Sequence, residues 1–195
     1  MSIIIGVTGP TGSGKSSLWD TARAAGFKVI DCDAVARSAT EKGTNGLRAL
    51  SEAFSDEILN ADGSLNRKEL ARRAFKSRED TELLNKTILP FIAELVKNQA
   101  DAERVLLDAP TLFESGINKI CNKTVAILAD KDLRLERIMS RDSIDRESAL
   151  LRISAGKDDG FYKQNADYII YNNGKIEVFT SQFKQIIDNI LEGSR

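Results

Sequence analysis

There is no histidine anywhere in the 195 residues. That absence removes Ser-His and Cys-His nucleophile pairs, imidazole-ligated zinc and any histidine acid–base mechanism. Cysteine is almost as scarce. Cys32 and Cys121 stand in unrelated contexts, each reads as a small buried residue, and a reducing cytoplasm is the simplest setting for them. No apolar run approaches eighteen residues, so nothing is expected to span a membrane. The apolar N-terminal stretch is too short for a signal peptide and has no basic region before it. Charge of either sign is not in excess: 28 Lys and Arg face 29 Asp and Glu, a net −1. Without a global basic field, nucleic acid is not the expected partner, although a local basic patch stays open. What remains is a globular chain, 42% hydrophobic, of a length suited to one domain with elaborations. Its chemistry must use carboxylates, Lys, Arg, hydroxyls and a metal ion. Phosphoryl transfer needs no more than that.

The chain does contain one pattern made for phosphates. Gly9-Pro10-Thr11-Gly12-Ser13-Gly14-Lys15-Ser16 fits Gly-x-x-x-x-Gly-Lys-[Ser/Thr]. Glycines let the backbone fold tightly so that its N–H groups point inward at phosphate oxygens, aided by the positive end of the next helix. Lys15 is placed to reach the β/γ-phosphates, and the Ser16 hydroxyl to hold Mg²⁺. The flanks supply the required context. Ile3 to Val7 reads as a short buried strand, and Leu18, Ala22 and Ala25 recur at helical spacing behind the loop. A nucleoside triphosphate is the expected ligand.

Downstream, Phe27 to Ile30 reads as a second strand closed by Asp31-Cys32-Asp33. If it lies beside the first strand, both carboxylates sit at its C-terminal end near the phosphates, on one side of an extended segment. Asp33 could then accept a hydroxyl proton or position an acceptor; the competing reading is an N-cap for a helix from Ala34 to Thr40. Residues 41 to 100 look mostly helical. Gly43 to Gly46 breaks the chain, Ser64 to Phe75 forms an amphipathic helix with Arg67, Arg72 and Arg73, and a long helix runs from Arg78 to about Ala102 with Pro90 as a break or kink. This block exceeds a plain crossover and reads as an insertion, about 34–102, that grips an acceptor; a solvated basic face explains Arg72 and Arg73 equally well.

Arg104 to Asp108 is the next buried strand. Its terminal Asp resembles the second phosphate-loop motif, whose Asp holds Mg²⁺. Val125 to Leu128 makes a fourth strand. Lys131 to Ala155 reads as two arginine-rich helices with Arg134, Arg137 and Arg141 on one face. They form either a lid, about 131–160, that brings guanidinium groups to transferring phosphate, or a solvated face balanced by Glu136, Asp142 and Glu147. Asp167 to Tyr171 is a final strand, Asn172-Asn173-Gly174 its turn, and Ile176 to Leu191 a closing helix. Alternating strands and helices give the fold class: one α/β domain, a three-layer doubly wound parallel sheet of about five strands with a helical insertion and a lid.

Among phosphate-loop classes, a GTPase should carry Asn-Lys-x-Asp, and both Asn-Lys pairs (Asn85-Lys86 and Asn122-Lys123) lack the final Asp. A motor or ATPase module usually has Glu after the second-motif Asp, where this chain has Ala109. A small-molecule kinase fits the helical insertion, the arginine arm and Asp33. Nearly the whole chain resembles the dephospho-CoA kinase family. The matching stretches are Thr8 to Ser17, Ile30-Asp31-Cys32-Asp33-Ala34-Val35-Ala36-Arg37, Asp62 to Leu70, Leu107 to Gly116, Arg134 to Arg152 and Ala166 to Ile170. The resemblance implies ATP-dependent phosphorylation of the ribose 3′-hydroxyl of dephospho-CoA, with small-molecule substrates only and Mg²⁺ as cofactor. It further implies Gly12, Ser13, Gly14, Lys15, Ser16 and Ser17 on ATP, and Asp33 as base or acceptor-orienting residue. Arg37, Arg67 and the insertion would meet dephospho-CoA, Arg141 would be the lid arginine, and Ser16 with Asp108 would hold the metal. Leu89 where the family usually has His, Gly156 in place of a common Gln, an unusual stretch from Lys157 to Asn165, and Tyr171 in place of a common Asp depart from the pattern. A nucleoside or nucleotide kinase of the same superfamily is the alternative.

Overall fold

The computed structural model describes residues 3–99 and 103–193. Five strands, β1 (Ile3–Thr8), β2 (Lys28–Asp31), β3 (Arg104–Asp108), β4 (Lys123–Leu128) and β5 (Tyr168–Tyr171), form one parallel sheet in the order β2-β3-β1-β4-β5. Side chains alternate across it. Ile5, Val7, Leu106, Val125, Ile127 and Ile170 face one way, into a core closed by Phe179, Phe183 and Ile187. Val105 and Leu107 face the other way, against Val35, Ile92 and Val96. A sheet buried on both faces must read as continuous apolar runs, and these strands do.

The helices are α1 (Trp19–Ala24), α2 (Cys32–Ala39), α3 (Asn45–Phe54), α4 (Arg67–Ala74), α5 (Arg78–Gln99), α6 (Lys131–Asp142), α7 (Arg146–Ser154), α8 (Asp159–Asn165) and α9 (Ile176–Glu192). Those between β2 and β3 have a core of their own, Leu50, Phe54, Ile58, Leu70 and Ala74. Ile88 on α5 touches both this core and the one under the sheet, so α5 is the shared wall. A smaller cluster, Leu135, Ile138 and Ala149, joins α6 to α7.

Several expectations need correction. β2 does not lie beside β1; β3 is inserted between them, its Asp108 in register with Asp31 on one side and Val7 on the other. The helix after β2 starts at Cys32 rather than Ala34, because Asp31 Oδ1 accepts hydrogen bonds from the Asp33 and Ala34 amides at 2.9 and 3.3 Å. Asp31 is therefore the N-cap, and Asp33 belongs to the first helical turn, not to an extended segment. Similarly, Thr44 caps α3 through Leu47 N, so the helix opens inside the predicted break. Residues 64–66 precede α4 instead of starting it: Leu65 bridges Leu59, and Asn66 takes the cap through Glu69 N. α5 continues through Pro90 as one helix; burial of Ile92 and Val96 over the next two turns outweighs the lost N–H. The predicted end at Ala102 lies outside the described residues. α8 had no counterpart in the sequence reading. Asp158 caps it through Phe161 N at 2.8 Å, and Tyr162 is buried against Ala126 and Leu128.

Candidate active site

At the C-terminal edge of the sheet, a cleft of about 1020 Å³ opens over the loop after β1. Gly12, Gly14, Lys15 and Ser16 line it from below, Asp31, Asp33 and Asp108 from one flank, and Arg137, Arg141 and Arg152 from above. Two of the loop's glycines are required twice over. Gly12 and Gly14 have φ of 79° and 88°, and an added Cβ would stand 2.7 Å from Arg134 O and 2.4 Å from Asn172 Nδ2.

The loop is held from behind. Arg134 Nε donates to Thr11 O at 3.0 Å, and Asn172 Nδ2 donates to Ser13 O at 2.9 Å. Arg137 adds weaker bonds to Gly12 O and Ser13 O, both 3.4 Å, and a strong one to Asn172 O at 2.9 Å. In a trans peptide unit C=O and N–H point opposite ways. Fixing Thr11 O and Ser13 O therefore turns the N–H groups of Gly12 and Gly14 toward the cleft, an arrangement suited to an anion. Arg134 is 6% exposed, and burial lowers its pKa despite Asp159 nearby. It is neither a solvated residue nor one available to substrate.

Lys15 Nζ donates to Gly9 O at 3.0 Å. Its pKa is lowered by burial, against the pull of Asp108 and Asp33 and with the push of Arg141 and Arg134. Asp108 is buried and its pKa is raised by desolvation, with Lys15 and a hydrogen bond from Trp19 opposing. Trp19 Nε1 donates to Asp108 Oδ2 at 2.8 Å, while Oδ1 is buried with no partner among the described residues. Asp33 is exposed to the cleft; unlike Asp31, its carboxylate is not taken up in a cap. Ser16, also in the lining, is exposed. No group of three or more metal-ligating side chains stands ready among the described residues. An orphan carboxylate oxygen plus a hydroxyl nevertheless suits Mg²⁺, which keeps waters and shares its shell with substrate phosphates.

The remaining predicted residues are not all gathered here. Arg141 lines the cleft but is paired with its neighbour: Nε and Nη2 donate to Asp142 at 2.7 and 2.9 Å, and Arg152 bonds the same carboxylate. Ser13 is wholly buried, its hydroxyl without a partner among the described residues, and Ser17 is exposed; neither lines the cleft. Arg37 and Arg67 also lie outside its lining. Arg37 is exposed and 3.9 Å from Asp31, and Arg67 Nη2 donates to Thr40 Oγ1 at 3.3 Å, at the end of α2. Arg72 and Arg73 are bound to Glu69, and Arg73 also to Glu57 and Phe54 O. Sequence reasoning missed Trp19, Asn172 and Glu114. For Asn172 the one signal was a pair of Asn directly after a strand; for Trp19 it was a lone aromatic one turn behind the loop.

Known proteins match this chain over nearly its whole length. The model of the dephospho-CoA kinase family matches residues 3–177. The dephospho-CoA kinase of Corynebacterium efficiens is 38% identical over 193 residues, 96% of each chain. Among solved structures, a Thermus thermophilus protein superposes with a TM-score of 0.77 at 31% identity, covering 96% of this chain and 97% of that one. The dephospho-CoA kinase from Campylobacter jejuni gives a TM-score of 0.62 at 27% identity over 100% of both.

Proposed function

This chain belongs to the dephospho-CoA kinase family, and from that premise we propose how its cleft performs the reaction. The activity is ATP-dependent phosphorylation of dephospho-CoA in coenzyme A synthesis. Our reading assigns the acceptor oxygen to the ribose 3′-hydroxyl. Lys15 and the Gly12 and Gly14 amides bind the β/γ-phosphates. Asp33 orients the 3′-hydroxyl, whose oxygen attacks the γ-phosphorus in line as Asp33 takes its proton, and ADP leaves with the electrons of the broken P–O bond. Arg141 exchanges Asp142 for phosphate oxygens and neutralises charge as it develops. Ser16 and Asp108 would hold Mg²⁺, which supplies charge neutralisation at the phosphates when bound.

In the same reading, residues 34–102 grip the acceptor, with Arg37 and Arg67 at its edge, and 131–160 act as the lid. Two free cysteines are compatible with a reducing cytoplasm. The partners are small molecules; net charge −1 offers nucleic acid little. One observation carries the proposal: beside a complete phosphate loop, Asp33 is exposed to the cleft while Asp31 next to it is committed to a helix cap. The test is ADP release from Mg-ATP with dephospho-CoA, with a panel of nucleosides and nucleotides, and with no acceptor. Dephospho-CoA should accelerate release by orders of magnitude over the others. Equal stimulation by a nucleotide from the panel would move the acceptor assignment.

A further inference from the structure

Asp108 Oδ1 is not the only buried carboxylate oxygen in the cleft without a partner among the described residues. Glu114 lies in the turns between β3 and β4, and its Oε2 is buried and takes no hydrogen bond from any described residue. The chain around it is fixed. Asn85 Nδ2 donates to Glu114 O at 2.7 Å, tying the turn to α5, and Ser115 N and Gly116 N bond back to Thr111 O and Phe113 O. The wall beside it is aromatic: Phe113 meets Phe161 edge-on at 6.0 Å, and Phe161 meets Tyr162 at 5.4 Å. Burial, then the nearby Glu114 charge, push the Tyr162 phenol to about 12, so that phenol stays neutral.

Leaving a buried carboxylate oxygen without a donor is costly, so one that lines a cleft calls for a donor from outside the chain. Position tells which ligand would supply the donor. Glu114 lines the same cleft as Asp31 and Asp33, and Asn85 ties its carbonyl to α5, a helix of the block read above as the grip on the acceptor. We propose that Glu114 is a recognition residue for the phosphoryl acceptor: its Oε2 takes a hydrogen bond from a neutral donor, a hydroxyl or an amino group, on the acceptor's nucleoside. The proposal rests on the kinase reading above. A carboxylate suits this task because it only accepts, and it repels any phosphate that strays to the wrong flank.

The experiment compares wild type, Glu114→Ala and Glu114→Gln by steady-state kinetics and thermal melting. Dephospho-CoA is set beside two analogues, one lacking the ribose 2′-hydroxyl and one with inosine for adenosine. Wild-type turnover of dephospho-CoA is read first; its absence defeats the kinase reading and this proposal with it. Glu114→Ala should raise KM for dephospho-CoA about 10- to 100-fold, the range for a hydrogen bond to a charged group, and leave KM for ATP within about twofold. Its melting temperature should not fall, since the substitution removes a buried group that had no donor. One analogue should lose the same factor in wild type and little more in Glu114→Ala, and that analogue identifies the donor. Glu114→Gln, which keeps one acceptor oxygen and the shape, should fall between the two. An unchanged KM for dephospho-CoA, a rise in KM for ATP instead, or equal penalties on both analogues in variant and wild type would overturn it.

Discussion

Asn172→Ala isolates the claim that the phosphate loop is held in shape from behind. The Asn172 side chain is almost wholly buried, 5% exposed, and its Nδ2 donates to Ser13 O at 2.9 Å. Truncation removes that bond and leaves Ser13 O with only Arg137 at 3.4 Å. A neutral hydrogen bond contributes about 1 kcal/mol, and a buried carbonyl left short costs about 1–2 kcal/mol more. The total, about 2–3 kcal/mol, corresponds to about 4–12 °C in Tm for a chain of this size. Gly14, which leaves no room for a Cβ against Asn172, would gain freedom, so its amide would no longer be preset and KM for ATP should rise about tenfold. The assay pairs thermal melting with ATP kinetics. Asn172→Asp sharpens it, because a carboxylate there faces Ser13 O without a donor and adds negative charge beneath the bound phosphates; it should be worse than Ala in both readouts. Equal Tm and ATP affinity in wild type and Asn172→Ala would refute the reasoning.

Other consequences follow from single contacts. Asp33→Asn should lower turnover at least about a hundredfold, the scale of a general base, with ATP affinity nearly unchanged; near-normal turnover removes Asp33 from the chemistry. Trp19→Phe strips the donor from Asp108 Oδ2 while Oδ1 is already unpartnered. It should cost about 2 kcal/mol by melting without ligand, and part of the loss should return with Mg-ATP; no loss of Tm would show that the indole bond contributes nothing. Asp167 joins β4 to the start of β5. Desolvation raises its pKa, but bonds from Thr124 N and Oγ1 and from Lys123 Nζ outweigh that and hold it below the ordinary value. Its stabilisation is therefore present above the unfolded carboxylate range and lost as pH falls through the lower folded value. Melting of wild type should accordingly drop as pH falls below about 4 by more than that of Asp167→Asn, and parallel curves would contradict this.

Much of the fold lay in local patterns. Apolar runs located every strand because a parallel sheet buried on both faces demands them, and the loop's glycines and Lys15 announced phosphate binding by spacing alone. Strand order was not legible. Nothing in β2 itself says that β3, more than seventy residues later, will separate it from β1, since that depends on how the helices between them pack. The same holds for the clamp: Asn172 and Ser13 are 159 residues apart in sequence. Arg134, Arg137 and Arg141 share a helical face by periodicity, yet one is buried under the loop, one braces it and one faces the cleft. Depth along the helix, which periodicity does not encode, separates the three.

The most direct test is product identification: incubate Mg-ATP and dephospho-CoA with wild type and with Lys15→Ala, separate the products against authentic coenzyme A, and locate the new phosphate on the ribose. The account predicts coenzyme A carrying a 3′-phosphate, formed one for one with ADP by wild type and lost in Lys15→Ala. ADP formed without coenzyme A, or phosphate on another oxygen, would contradict it.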